Sequence, residues 1–454
     1  MTGEASLALW ARALAVGSLL HAALPDFETE GWGLPQGVEI VGAMLLLWRP
    51  HLLGFLLTAV SMAYSLLFLR DVMTQSLYLL IVSLVGAVAA FYATEAASSK
   101  ARMAVTGTTS VIYATAAVHK LNTDFFNPEI SCAHHAYAQF LDYLLPSAWV
   151  QAVGVPGASL SGVVVLVELL LAVLVWRRHP ARFVVALLFH LPLTLTLAPA
   201  FGAVIFSGHV ASLRARELVV ARQWVSDRRG TLLAAAGFGL ALNAACAGAR
   251  DFATVPIWCV LDAERLTRAL QASAAGPLIA VAIGLLRGAR PTPNPPMSAL
   301  VSAPAVLFVL HGLLPYTGLA VQHTAAMLSN LRVDPSCHNS LIFPEALRVR
   351  DGYVYLTVLE FAGGQRPARS ALGPTTLWNI AALYAMRENW CVDHLRPIHV
   401  AGRWRGQDFD VADLCGDLGT ALPKDVGWPP AELFPSFQAF QKNLPRACFQ
   451  PCVH

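Results

Sequence analysis

The amino-acid sequence predicts an all-α multi-pass transmembrane bundle of about eight to ten helices over residues 1–321, followed by a small α+β soluble domain over residues 322–454. Three observations lead there. Of the 454 residues, 56% are hydrophobic and only 13% are charged, about half the charged fraction of a soluble domain, so the apolar runs exceed what one water-soluble core can hold. These runs recur at lengths near that needed to cross a hydrocarbon layer. From Gln322 onward the pattern stops: charges of both signs appear among scattered Pro and Gly, and no run is long enough to span.

Taken in order, the apolar runs extend from Leu7 to Leu24, Leu52 to Leu69, Ser76 to Tyr92, Met103 to Val118, Ser159 to Trp176, Phe183 to Phe206, Thr231 to Ala247 and Met297 to Val321, with shorter ones from Val38 to Trp48 and Pro277 to Leu286. The first has no Lys or Arg ahead of it and contains Arg12 and His21, which fits a retained helix better than a cleaved secretory signal with its basic leading region. In the tail, Leu341 to Phe343 and Tyr353 to Leu359 read as short strands, Thr375 to Glu388 as a helix with an apolar stripe, and Ile398 to Trp404 as another strand.

Charge orients the first half. Basic residues cluster at Trp48-Arg49-Pro50-His51, at Lys100 and Arg102, and from Arg177 to Arg182, whereas Leu121 to Trp176 has no Lys or Arg. The positive-inside rule makes the clusters and the N-terminus cytoplasmic and puts the acidic Asp26, Glu28, Glu30 loop and the Lys120 end outside. A single crossing from Phe183 to Phe206 would then strand Arg214, Arg216, Arg222, Arg228 and Arg229 on the wrong side; Pro192 and Pro199 allow a broken or re-entrant hairpin there, which restores the rule. The net charge of +3 is small for this length, so no nucleic-acid footprint is expected.

Chemistry concentrates where the run from Val111 meets Lys120. A lysine desolvated by apolar surroundings shifts toward its neutral form and becomes a base; a lysine in a last helical turn also snorkels to the interface, and spacing alone allows both. His119, Asn122, Asp124, His134 and His135 surround it in sequence, interleaved with Phe125, Phe126, Ile130 and Tyr137, a pattern that fits both a segment dipping toward the membrane surface that a hydrophobic ligand can reach and an interfacial amphipathic helix with anchoring aromatics. Glu39, Glu168 and His190 fall within apolar runs, where an ionisable group faces a bundle interior or cavity, or closes an internal hydrogen bond between helices. The start of the tail packs Asn330, Arg332, Asp334, His338 and Asn339 together, with Arg332 suited either to a substrate carboxylate or to a capped turn. Five of the eight cysteines, Cys337, Cys391, Cys415, Cys448 and Cys452, lie in the tail. In an oxidising compartment they give two disulfides and one odd thiol; in a reducing one they stay free. Cys448, Cys452 and His454 have ligand-like spacing at the chain end, too few to define a metal site.

The segment Tyr113 to Phe126, Y-A-T-A-A-V-H-K-L-N-T-D-F-F, with the Ser131-Cys132 pair, resembles the signature of the HTTM membrane domain shared with vitamin K-dependent gamma-carboxylases. Ser329 to Arg332 with His338-Asn339 resembles a second stretch of that family, and the helix holding His190 a third. The resemblance implies that Lys120 deprotonates a reduced lipid quinone, that oxygen adds, and that the resulting alkoxide removes a proton beside a glutamate carboxylate before carbon dioxide captures the carbanion. It assigns catalytic roles to Lys120 and His190 and substrate-binding roles to His119, Asn122, Asn330, Arg332 and His338, with a lipid-soluble quinone as cofactor. Two departures stand out: Thr74-Gln75-Ser76 carries glutamine where the carboxylases have histidine, and the tail is shorter than their β-rich propeptide-binding region. The rival expectation is a non-catalytic protein that uses the same fold to bind a lipid or a partner.

Overall fold

In the computed structural model the described residues are 3–23, 33–68, 73–144, 157, 159–196, 198–251, 263–288, 299–318, 329–334, 337–348, 353–361, 376–379, 391, 397–404, 407–416, 444–445, 448 and 452. Among these residues thirteen α-helices dominate, with a small sheet near the C-terminus. The helices are α1 (Gly3–Ala23), α2 (Leu34–Trp48), α3 (Leu52–Phe68), α4 (Met73–Tyr92), α5 (Glu95–His119), α6 (Cys132–Leu144), α7 (Ser159–Trp176), α8 (Ala181–Thr196), α9 (Pro199–Ala211), α10 (Ala215–Asp227), α11 (Arg229–Asp251), α12 (Ala263–Gly288) and α13 (Ala299–Thr317).

Four of them carry segments long and apolar enough to cross a membrane: Ser6–Ala23, Thr74–Tyr92, Ser159–Trp176 and Ala269–Gly288. That is fewer than the apolar runs predicted. The physical reason is length and polarity: Leu34–Trp48, Leu52–Leu67, Ala181–Leu195, Ala200–Ala211 and Val301–Thr317 are apolar but short, and α5 opens with the polar turns Glu95, Ser98, Ser99, Lys100 and Arg102.

Helix α1 packs against α2 and α9, α3 against α2 and α4, α5 against α7 and α13, and α11 against α12. Large apolar side chains point outward, such as Leu166, Leu170 and Val173 on α7, while Ser18, Ser61, Thr108, Thr109 and Ser110 are buried between helices, where small hydroxyls let backbones approach and bond to carbonyls. Two glycines are required by close approach: a Cβ on Gly86 would overlap the Phe55 ring, and one on Gly208 would overlap Thr109 and Tyr78.

The run from Phe183 to Phe206 is broken at its prolines. Helix α8 ends at Thr196 and α9 begins at Pro199, and the two form a hairpin, because Arg182 at the start of α8 reaches Ser212 just past the end of α9, Nε to Oγ 2.7 Å. Arg102 Nη1 donates to the Leu213 carbonyl at 2.8 Å. Arg102, Arg178, Arg182 and Arg214 thus lie at one end of the molecule, as the hairpin alternative requires.

In the tail, β1 (Val333–Asp334) and β2 (Cys337–His338) form a small antiparallel pair, and β3 (Tyr353–Phe361), β4 (Thr376–Asn379), β5 (Ile398–Trp404), β6 (Gln407–Val411) and β7 (Leu444–Pro445) form an antiparallel sheet ordered β6-β5-β3-β4-β7. Val354, Leu356, Trp378, Ile398, Val400, Trp404 and Phe409 make its core. The strands at Tyr353 and Ile398 match the sequence reading. Two other expectations need correction. Thr376 to Asn379 is a strand, held by β3 on one side and β7 on the other, so tertiary pairing overrides the helical stripe; the rest of that predicted helix lies outside the described residues. Leu341 to Phe343 is a bend: the Leu341 N–H donates to the Leu121 carbonyl at 2.9 Å and Phe343 stacks on Tyr316, ring centroids 4.1 Å apart.

Candidate functional site

Lys120 is the residue after α5, and its ammonium does not reach solvent. Its Nζ lies 2.9 Å from Glu168 Oε1, both residues are 5% exposed, and the Phe125 ring covers it at 5.9 Å. The snorkelling geometry is absent. Glu168 comes from the middle of α7, the one charged residue of that helix, and its carboxylate is oriented by the α5–α7 contact. Its Oε2 has no hydrogen-bond partner among the described residues, which leaves an acceptor at the site.

The pair sits on the wall of a cavity of about 310 Å³, the lower range of small-molecule sites. Helix α5 contributes Ile112, Tyr113 and Ala116; α6 contributes Cys132, Ala133, Tyr137 and Phe140; α7 contributes Leu160 and Val164; the α8–α9 hairpin contributes Phe189, His190, Leu193 and Phe201. Aromatic and aliphatic faces make most of the wall, and Lys120, Glu168, Tyr113 and His190 stand among its polar groups with Thr74 and Tyr137.

His190 is reached through a relay. Tyr113 Oη lies 2.7 Å from His190 Nε2 and 2.8 Å from His209 Nε2, and all three residues are buried. A phenol hydroxyl donates one hydrogen bond and accepts others, so it can donate to one imidazole while accepting from the other, which places the two rings in opposite tautomers. The Nδ1 atoms of both histidines have no partner among the described residues, so exchanging the tautomers breaks no other bond. Pro192 and the Thr194 hydroxyl, which bonds the His190 carbonyl, belong to the turn region that holds His190 against the cavity.

Of the residues assigned from sequence, Lys120 and His190 line the cavity. The others build the joint between helices and tail. His119 Nε2 meets the Gly312 carbonyl of α13 at 2.7 Å. Asn122 donates to the carbonyls of His119 and Ser329 at 2.8 and 2.6 Å and accepts from Phe125 N–H at 2.8 Å, folding the loop after Lys120. Asn330, in a left-handed conformation with φ 54° that asparagine tolerates, accepts from Cys132 N–H and donates to the Ile130 carbonyl, both at 2.8 Å. Arg332 is fully buried and its Nε donates to Asp334 Oδ1 at 2.6 Å, an internal carboxylate. His338 pairs with Val333 in the β1–β2 ladder.

The odd thiol of the tail has a partner in the helices: Cys452 bonds Cys132, while Cys337 bonds Cys448 and Cys391 bonds Cys415. Cys448 and Cys452 are therefore committed to disulfides rather than to a metal. Sequence reasoning named Lys120, Glu168 and His190 singly and missed Tyr113 and His209 as members of the site. Tyr113, seven residues before Lys120, falls two helical turns along the same face, a spacing that would have flagged it; nothing local marks His209. No family model, curated protein or solved structure matches the chain.

Proposed function

We propose that this chain is a multi-pass integral membrane enzyme of the HTTM type, with its N-terminus cytoplasmic, that performs proton abstraction and carboxylation in the manner of vitamin K-dependent carboxylases, Lys120 acting as base. The observation that carries the reading is the enclosed Lys120–Glu168 pair on the wall of an apolar, aromatic-lined cavity. Supporting the orientation, the disulfide Cys132–Cys452 lies beside the Lys120 end, as an oxidising side requires, and the arginine-rich end lies at the start of the α8–α9 hairpin.

The residues fit a reduced lipid quinone. Its ring would meet the Phe125, Phe189 and Phe201 side, and its hydroxyls have Glu168 Oε2 and His190 Nδ1 as unfilled partners. When bound, such a quinol supplies the reducing equivalents for reaction with oxygen. Lys120 accepts a proton from a hydroxyl of the ligand, and Glu168 at 2.9 Å receives it in turn. The His190–Tyr113–His209 relay carries a second proton away from the cavity by exchanging tautomers. The apolar wall excludes water, which would otherwise solvate the pair and weaken the base.

Lipid extraction of the purified protein is the first test: a co-purifying quinone is expected, and Lys120→Ala should abolish quinol oxidation while leaving the protein folded. A parent protein without bound quinone or turnover sinks the enzyme reading. The alternative, a lipid- or partner-binding protein without catalysis, has one observation in its favour: the Lys120–Glu168 bond also serves to tie α5 to α7. It predicts a bound lipid with no turnover in any variant.

A further inference from the structure

The disulfide between Cys132 and Cys452 joins two different environments. Cys132 is 3% exposed and stands in the wall of the cavity that holds Lys120. Cys452 is partly exposed and packs on the cluster of Ala117, Phe125, Cys132 and Val165 without lining the cavity. One half of the bond therefore belongs to the cavity and the other to the surface. Among the described residues, none of the remaining disulfide cysteines, Cys337, Cys391, Cys415 and Cys448, contributes to that wall. A clasp between tail and helices has no need to border a ligand cavity; a redox pair does.

The surroundings suit Cys132 to be the thiolate of the pair. It is the first residue of α6, where the positive end of the helix dipole favours an anion, and Lys120 adds a cation on the same wall. Its backbone N–H is held by Asn330 Oδ1 at 2.8 Å, so this end of α6 stays seated when the disulfide opens. In thiol–disulfide exchange, access decides which sulfur is attacked, and the better-stabilised thiolate leaves. Cys452 is thus the sulfur open to attack from the aqueous phase, and Cys132 is the thiolate released into the cavity.

We propose a second activity for the cavity: oxidation of a dithiol, presented from the aqueous phase beside Cys452, by a quinone, with Cys132 and Cys452 as the shuttle. It rests on the quinone reading of the cavity. A thiolate of the incoming dithiol bonds to Cys452 Sγ and breaks the bond to Cys132; its second thiolate then displaces Cys452, and the partner departs as a disulfide. Cys132 gives its electron pair to a ring carbon of the quinone. Cys452 next attacks Cys132 Sγ, the sulfur–carbon bond breaks, and that electron pair stays with the ring. The protein disulfide is restored, and the two electrons and two protons lost by the dithiol end on the quinol, with Lys120 placed to hand over a proton. The product is the quinol that proton abstraction at Lys120 requires.

The full-length protein in nanodiscs, given dithiothreitol and a menaquinone with a short isoprenoid tail under argon, tests this. Quinol should form faster than in protein-free nanodiscs. Cys132→Ser and Cys452→Ser should each lose the excess rate, while the double variant Cys391→Ser, Cys415→Ser, which removes a disulfide within the tail, should keep it. A second readout separates lost chemistry from a loosened fold: labelling by menadione, which captures thiols at its open ring carbon, followed by peptide mass spectrometry. In Cys452→Ser the buried Cys132 should be labelled faster than the more exposed Cys452 is in Cys132→Ser, and excess menaquinone should protect it. Labelling in the order of exposure overturns the proposal. Native mass spectrometry counts quinone retained on the protein: retention without dithiol-driven quinol overturns the shuttle and leaves the quinone reading standing, whereas no retention removes both.

Discussion

Lys120 and Glu168 depend on each other more than either depends on the bulk fold. Removing one leaves a charge in apolar surroundings without its partner, so Lys120→Met or Glu168→Leu alone should destabilise the protein by about 3–5 kcal/mol, whereas the double replacement should recover most of that loss. Unfolding of the two singles and the double, measured as a cycle, checks this; additive losses would mean that the pair is not coupled. Tyr113→Phe deletes one oxygen and leaves two imidazole nitrogens without their bond, at a cost of about 1–3 kcal/mol. If the relay carries protons, the same variant also slows turnover more in heavy water than the parent is slowed. At this scale the sequence exposed the individual chemistry-bearing groups, because a charge inside an apolar run is conspicuous wherever it falls. It could not expose the pairings: Lys120 and Glu168 are 48 residues apart and Tyr113 and His209 are 96 apart, and no local pattern encodes which helix faces which.

Among the elements, the α8–α9 hairpin connects the cavity with the arginine-rich end, bringing His190 to the cavity near its turn and Arg182 to Ser212 at its open end. Its seat depends on Gly208, where a methyl group would overlap Thr109 and Tyr78. Gly208→Ala should therefore lower stability by about 1–3 kcal/mol and displace the adjoining His209 from Tyr113, readable as a change in histidine ring resonances; an unchanged spectrum would show that α9 can shift without moving the relay. The hairpin was legible from two prolines and a misplaced set of arginines, a case where charge bookkeeping and backbone chemistry agree. The strand at Thr376 was not, because four residues with a weak helical stripe are decided by the partners on either side. The joint around Asn122 and Asn330 was legible only as a density of polar residues, which marks a site and a well-capped junction alike.

Over the whole molecule, the disulfide Cys132–Cys452 joins the tail to the helices, and Cys337–Cys448 and Cys391–Cys415 cross-link the tail itself. Cleavage at the eight methionines by cyanogen bromide gives, among others, fragments 104–297, 328–386 and 387–454. These three should migrate as one species until a reductant is added, and separate then. Independent migration before reduction would remove the covalent tie between tail and helices. The division into a helical part and a tail was readable from composition alone. The tie was not, since five tail cysteines leave an odd number and only the fold identifies the sixth.

The bond from Cys132 to Cys452 spans 320 residues of chain, and this sets the order of biosynthesis. The helix bordering the cavity emerges early, yet the cysteine that fastens it follows only 320 residues later. The pocket therefore cannot lock until Cys452 has been made, and a chain that stops short of it carries the unpaired Cys132 thiol on the cavity wall, a ready mark for quality control.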